Sequence, residues 1–360
     1  MDSGIRRLSL TIFKMSSSIK SRLLPALVAA LNGIALAQLP ESKIVASDAA
    51  TGDNFGRSVA ISGDYAIAGA PYDDDGGTNS GSAYIFKRSG TEWSQEDKIV
   101  ASDPAANDVF GISVAISGDY AIVGAHNDDD GGSSSGSAYI FKRSGTEWSQ
   151  EDKIVASDPA QNDQFGMSVA ISGDYAIAGA PYDDDGGGAS GSAYIFKRSG
   201  TDWSQEDKIV ASDPAQSDQF GTSVAIDGDY AIVGAYQDDD AGSSSGSAYI
   251  FKRSGTEWSQ EDKIVASDDA QGDQFGRSVA IDGDYAIAGA YGFQNRGAAY
   301  ILKKSGTDWN QNTKIIGSDI SQSAYFGWSS SIDGDYAIVG AHNDNDGGNA
   351  SGWAYIYSFK

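Results

Sequence analysis

The chain has 360 residues, 45 of them glycine and 7 proline, with an aromatic share of 11%; this profile fits many short strands joined by tight turns and excludes a disordered chain. Cysteine is absent, so thiol chemistry is excluded and the fold needs a core large enough to hold without disulfides. Fifty acids against 25 basic residues give a net charge of −25, which repels nucleic acid and anionic membrane and attracts cations and basic partners.

Residues 1–37 differ from everything after them. They carry Arg6, Arg7, Lys14, Lys20 and Arg22 and then the apolar run Leu23 to Leu31, the pattern of a secretory signal peptide cleaved after Ala35-Leu36-Ala37. A membrane anchor fits less well, because a span needs about 20 apolar residues and Pro25 and Asn32 interrupt this run. The expectation is a secreted, extracellular protein without membrane insertion, monomeric, with one mature domain over residues 38–360.

That domain is a repeat. Phe-Gly recurs at Phe55, Phe110, Phe165, Phe220, Phe275 and Phe326, in four steps of 55 residues and one of 51. Each copy continues with a run such as Ser58-Val59-Ala60-Ile61, a Gly-Asp turn at Ser62-Gly63-Asp64, and Tyr65-Ala66-Ile67-Ala68-Gly69-Ala70. An Asp- and Gly-rich loop follows, then Ala83-Tyr84-Ile85-Phe86-Lys87, a polar turn containing Trp93, and Lys98-Ile99-Val100-Ala101. These are four short strands per copy, bounded by turn residues. One such sheet cannot bury its aromatics alone, so the copies must stack. The last copy lacks a fourth strand, whereas Lys43-Ile44-Val45-Ala46-Ser47-Asp48 reads as an unattached fourth strand at the start. The expected fold is therefore all-β: a six-bladed β-propeller with four antiparallel strands per blade, closed by the N-terminal strand, with no sequence left for a seventh blade.

Phe-Gly followed by Ser-Val-Ala-Ile and by Gly69-Ala70-Pro71 or Gly179-Ala180-Pro181 closely resembles the FG-GAP repeat of integrin α subunit propellers and of many secreted microbial proteins. The resemblance covers residues 43–360 and implies a binding or cell-adhesion propeller. In integrin-type repeats the loop between the first and second strands carries a calcium site. Here that loop is only Ser62-Gly63-Asp64, so the site is not carried over.

Strand direction sends the loops between fourth and first strands, and between second and third strands, to one rim. That rim collects most of the aspartates, while Lys87, Arg88 and Lys98 are expected on the other. Three readings of the acidic rim stand side by side: a solvated surface, electrostatic capture of a basic protein or cationic surface, and calcium binding. The candidate Ca2+ ligands are Asp73, Asp75, Asp128, Asp130, Asp183, Asp185, Asp238, Asp240, Asp344 and Asp346. Copy five replaces the acidic loop with Tyr291-Gly292-Phe293-Gln294-Asn295-Arg296-Gly297, which points to an exposed Phe293 beside Arg296 as a contact patch, or to decay of an unneeded loop. His126 and His342 stand where other copies have Pro71, Pro181, Tyr236 or Tyr291, and are either ligand-binding or loop fillers. Trp93, Trp148, Trp203, Trp258 and Trp309 either pack on the outer strand or stack on carbohydrate, and Asn349-Ala350-Ser351 has the form of a glycosylation acceptor.

No nucleophile-base constellation, nucleophile elbow or phosphate loop is visible. The expected function is a secreted or cell-surface binding propeller for an extracellular protein or glycan. A carboxylate-based extracellular hydrolase and a purely structural repeat are the alternatives.

Overall fold

The computed structural model describes residues 42–345 and 351–359; the leader segment 1–37, Asp346 and Asn349 lie outside them. In the first copy the strands are Val59–Ser62, Tyr65–Ala70, Ser82–Ser89 and Glu92–Ile99, adjacent in that order. They are antiparallel throughout, joined at the close pairs Ser62↔Tyr65, Ala70↔Ser82 and Ser89↔Glu92. Four further four-stranded sheets repeat this pattern, and the sixth holds three strands, Phe326–Asp333, Tyr336–Ala341 and Trp353–Ser358. The single helical piece among the described residues is the short turn Phe293–Asn295. The fold is the expected all-β six-bladed propeller.

The core lies between blades. Ile67, Ala83 and Ile85 of blade one pack against Val114, Ile116, Val123, Tyr139, Phe141 and Trp148 of blade two. Phe110 stands at this boundary with its ring edge-on to Tyr139 at 5.4 Å and to Phe141 at 5.9 Å. Aromatic pairs favour such tilted contacts over flat stacking. Small residues set the spacing: a Cβ on Gly69 would collide with the carbonyl oxygen of Gly111 in the next blade. Gly136, at φ +86, lets its backbone form a parallel bridge to Phe165.

Two strand expectations need correction. The fourth strand is Glu92–Ile99, so Trp93 sits within a strand and not in a turn. Its run Glu-Trp-Ser-Gln-Glu-Asp-Lys is polar because this is the outer strand of the sheet, where Glu96 pairs with Lys87 and Asp97 accepts the Trp148 N–H of the next blade. The second concerns closure. Residues 42–46 form no strand and the sixth blade has no fourth strand among the described residues. Lys43 to Asp48 align with Lys98 to Asp103, of which only the first two are strand; the rest is the loop that settles on the next blade. Accordingly Ile44 and Ala46 pack on Tyr84 and Phe86, and Ser47 N–H donates to Gln95 Oε1, as Ser102 N–H does to Gln150. The facing surfaces of the terminal blades are open: Val59 is 69% exposed where its counterpart Val114 is 7%, and Ile356 of blade six is 67% exposed.

One boundary carries a matched pair of changes. Gly76, Gly131 and Gly186 lie under Pro104, Pro159 and Pro214, where an added Cβ would meet the proline Cβ at 2.7, 2.6 and 2.8 Å. Between blades four and five Ala241 takes the glycine position and Asp269 the proline position. The methyl group of Ala241 is tolerated because the ring is gone.

The residue before each Phe-Gly has a left-handed backbone, including Asn54 at φ 54 and Val109 at φ 56. Asparagine tolerates this region, whereas a β-branched residue is strained in it. Val109→Asn should therefore raise unfolding free energy by about 1 kcal/mol, read by urea denaturation; an unchanged or lower midpoint would contradict the strain.

Candidate functional site

The aspartate-rich rim is built from a repeated ion cluster. Lys153 Nζ, at the end of a fourth strand, lies 2.8 Å from Asp103, 3.1 Å from Asp128 and 2.5 Å from Asp130. Tyr139 Oη donates to Asp128 at 2.8 Å and Asp103 at 3.0 Å. Lys98 gathers Asp48, Asp73 and Asp75, Lys208 gathers Asp158, Asp183 and Asp185, and Lys263 gathers Asp213, Asp238 and Asp240. These lysines occupy the acidic rim and not the opposite one, because the fourth strand runs on to Ile99 and its counterparts. The expected calcium ligands thus converge in four blades, each set around an ammonium group. Asp344 is buried in the sixth blade.

Burial raises the carboxyl pKa of Asp103, Asp158 and Asp213, but hydrogen bonds from the lysine and tyrosine outweigh it and hold each below the usual range. A second set behaves oppositely. Asp163 and Asp218 are pushed up to about 6, first by burial and then by Asp183 and Asp184, or Asp238 and Asp239, although each accepts a backbone N–H at 2.7 Å.

Copy five departs from this scheme. Phe293 is 6% exposed, which corrects the expectation of an exposed ring. Lys314 Nζ lies 3.1 Å from its ring centroid and pairs with Asp268 at 2.5 Å. The ring takes the place of the missing carboxylates as the partner of the lysine, through a cation–π contact. Arg296 is exposed beside it. The tryptophans of the fourth strands are also committed: Trp148 meets Tyr65 of the preceding blade at 5.8 Å, and Trp203 meets Tyr120 at 5.8 Å.

The inner edge of the same rim forms a throat of about 680 Å3. The residue after each Phe-Gly points to it: Arg57, Ile112, Met167, Thr222, Arg277 and Trp328, with His342 at its side. Arg277 lies over Trp328 at 4.3 Å and near Tyr236 at 5.5 Å. His342 stacks on Tyr325 at 5.5 Å and meets Trp328 at 4.7 Å. Its pKa is lowered by burial and by Arg277 and Arg57. His126 is depressed to about 4 by burial and by Arg57, and its Nδ1 is buried without a hydrogen-bond partner. Both expected histidines are thus shifted toward the neutral form, with Arg57 acting on each. Sequence reasoning passed over Arg57, Arg277 and Trp328. The available signal was the position itself, which changes residue in copies that are otherwise nearly identical.

Sheets of four strands, repeated around a shared inner throat, define a repeat β-propeller. The FG-GAP repeat family matches residues 40–86, 93–141, 148–196, 203–251, 258–302 and 309–357, and the chain belongs to that family. A search of curated proteins returned no match. No helix of the described residues is long and apolar enough to cross a membrane.

Two outcomes follow from the rim chemistry. A carboxyl whose folded pKa is raised stabilises the fold as pH falls through that value, and one whose folded pKa is lowered loses its contribution on further acidification. Melting temperature should rise from pH 7 to about pH 5 and fall below about pH 4. Asp163→Asn with Asp218→Asn should reduce the rise, leaving the share of Asp269, which burial and Asp273 also push up to about 6, and spare the fall; a curve unaltered by both would refute the assignment. Removing the cation in Lys153→Ala leaves Asp128 buried without its charge partner and should cost about 3 kcal/mol. Arg88→Ala, which breaks a pair with Asp64 that is exposed on both sides, should leave the denaturation midpoint unmoved.

Proposed function

We propose that this chain is a non-catalytic binding propeller that acts outside the cell and seats its ligand in the throat at the loop rim. The observation that carries this reading is where the copies differ. The strand runs Tyr-Ala-Ile and Ser-Ala-Tyr-Ile-Phe-Lys-Arg-Ser recur through the first four copies, yet the residue after Phe-Gly is Arg, Ile, Met, Thr, Arg and Trp in turn. Side chains from all six converge on one cavity. Repetition supplies a rigid scaffold, and divergence at the axis makes an asymmetric surface of cations, aromatics and a thioether, which suits recognition more than turnover. The basic, apolar leader of residues 1–37 supports export, and membership of the FG-GAP family supports a binding or adhesion role.

In this reading the rim aspartates form a structural lattice. Calcium would enter a cluster such as Asp103, Asp128 and Asp130 by displacing Lys153 Nζ, so the unaltered protein is a weak calcium binder. Its melting temperature should shift little between 1 mM calcium and excess chelator, concentrations chosen at roughly the weak end of protein calcium sites. Lys153→Met should make the melting temperature calcium-dependent. A large calcium shift in the unaltered chain would restore calcium as a resident cofactor.

The seat itself is tested by filling it. Met167→Trp with Thr222→Trp occupies the throat from two adjacent blades. The variant should melt like the parent and lose capture of whatever the parent retains on glycan and protein arrays. Retained capture would move the seat elsewhere.

A further inference from the structure

Arg57 and Arg277 are anomalous in so acidic a chain. Blades one to four each close another arginine on an aspartate: Arg88 on Asp64, Arg143 on Asp119, Arg198 on Asp174 and Arg253 on Asp229. Among the described residues no carboxylate lies within ion-pair distance of Arg57 or Arg277. Arg277 is covered by Trp328 and Tyr236 instead, and Arg57 stands exposed across the same throat. Burial lowers the pKa of Arg277, and the charge of Arg57 adds to that cost. Two like charges facing one cavity, one of them partly desolvated, are unfavourable without an anion between them.

We infer that the throat takes a terminal carboxylate, carried by a sugar acid at the end of an otherwise uncharged glycan, with Arg277 and Arg57 as the clamp. A guanidinium presents parallel N–H donors that match a carboxylate edge. Around it the cavity is lined by serines, of which Ser168, Ser223 and Ser278 each donate their hydroxyl proton to a glycine carbonyl of the next blade. What they offer a polyhydroxylated ring is therefore the acceptor side of the oxygen, and Trp328 contributes an aromatic wall. The cavity volume of about 680 Å3 falls within the usual range for small-ligand sites, roughly 300–1,000 Å3. The outer rim sets the remaining limit. Asp74, Asp129, Asp184 and Asp239 are exposed there and repel a polyanion, so the negative charge of the ligand is confined to its tip. That disfavours an acidic peptide or a sulfated chain and leaves a neutral body ending in one carboxylate.

The inference rests on the throat being the ligand seat. Calorimetric titration of the full chain uses methyl glucuronide, the neutral methyl glucoside, and N-acetyl-diglycine as a peptide C-terminus. Glucuronide should bind at least about tenfold more tightly than glucoside, and more weakly as salt is raised. Arg277→Gln should lose about tenfold to a hundredfold, the usual range for one hydrogen-bonded charge partner. Arg57→Gln, at an exposed position that does not threaten folding, should lose less, and Arg296→Gln nothing. Equal affinity for the two sugars, no binding of glucuronide, or unchanged affinity in both throat variants would overturn the inference. Binding of the peptide without the glucuronide would overturn its sugar part. If the tryptophan-filled throat loses its array ligands while Arg277→Gln keeps them, the seat stands and the carboxylate reading falls.

Discussion

Everything in this propeller depends on how closely one blade's backbone approaches the next. Gly69 and its counterparts leave room for the carbonyl of the following Phe-Gly turn, while Gly81 and its counterparts place their backbone against that phenylalanine. The contact is between main chains, so its spacing does not vary with side-chain choice. The phenylalanine ring then fills the wedge between sheets, and the alanines on the second strands keep the inner edge narrow enough for six sheets to share one throat. Replacing any of these glycines would push two sheets apart, which is why the copies agree there and diverge elsewhere.

The acidity of the chain is managed on the same repeat. Each lysine at the end of a fourth strand sits among three aspartates drawn from two loops, with a tyrosine hydroxyl closing the group. The ammonium group ties both rim loops to the edge of the sheet, so the rim is a braced structure and not a loose solvated fringe. In blade five the same lysine turns to the ring of Phe293, so the brace survives the loss of its carboxylates. The loops around the throat are thereby tied to the edges of the sheets, and the axis-facing side chains stand on that frame.

Much of the fold was legible in the sequence because the Phe-Gly period and the glycine turns are local signals. The fourth strand was misplaced because Glu92 to Lys98 reads as a polar turn; only its place at the sheet edge explains those charges. The same error carried the lysines to the wrong rim and offered residues 43–48 as a closing strand. Phe293 was expected at the surface because a sequence does not show that Lys314, 21 positions later, will lie over its ring. The throat was the least visible part. Arg57, Arg277 and Trp328 are separated by whole repeats, and only the arrangement of the blades around a common axis brings them together, although their variability marked the position.

The paired changes at Ala241 and Asp269 bear on how such a gene can rearrange. Near-identical copies invite recombination, and most exchanges would be silent because the joints are alike. A crossover that left Ala241 facing a proline would set a methyl group against a ring. The heritable module is consequently offset from the repeat: it runs from the second-strand loop of one blade through the entry loop of the next, and shuffling that respects this frame preserves a folded protein while reassorting the residues at the axis.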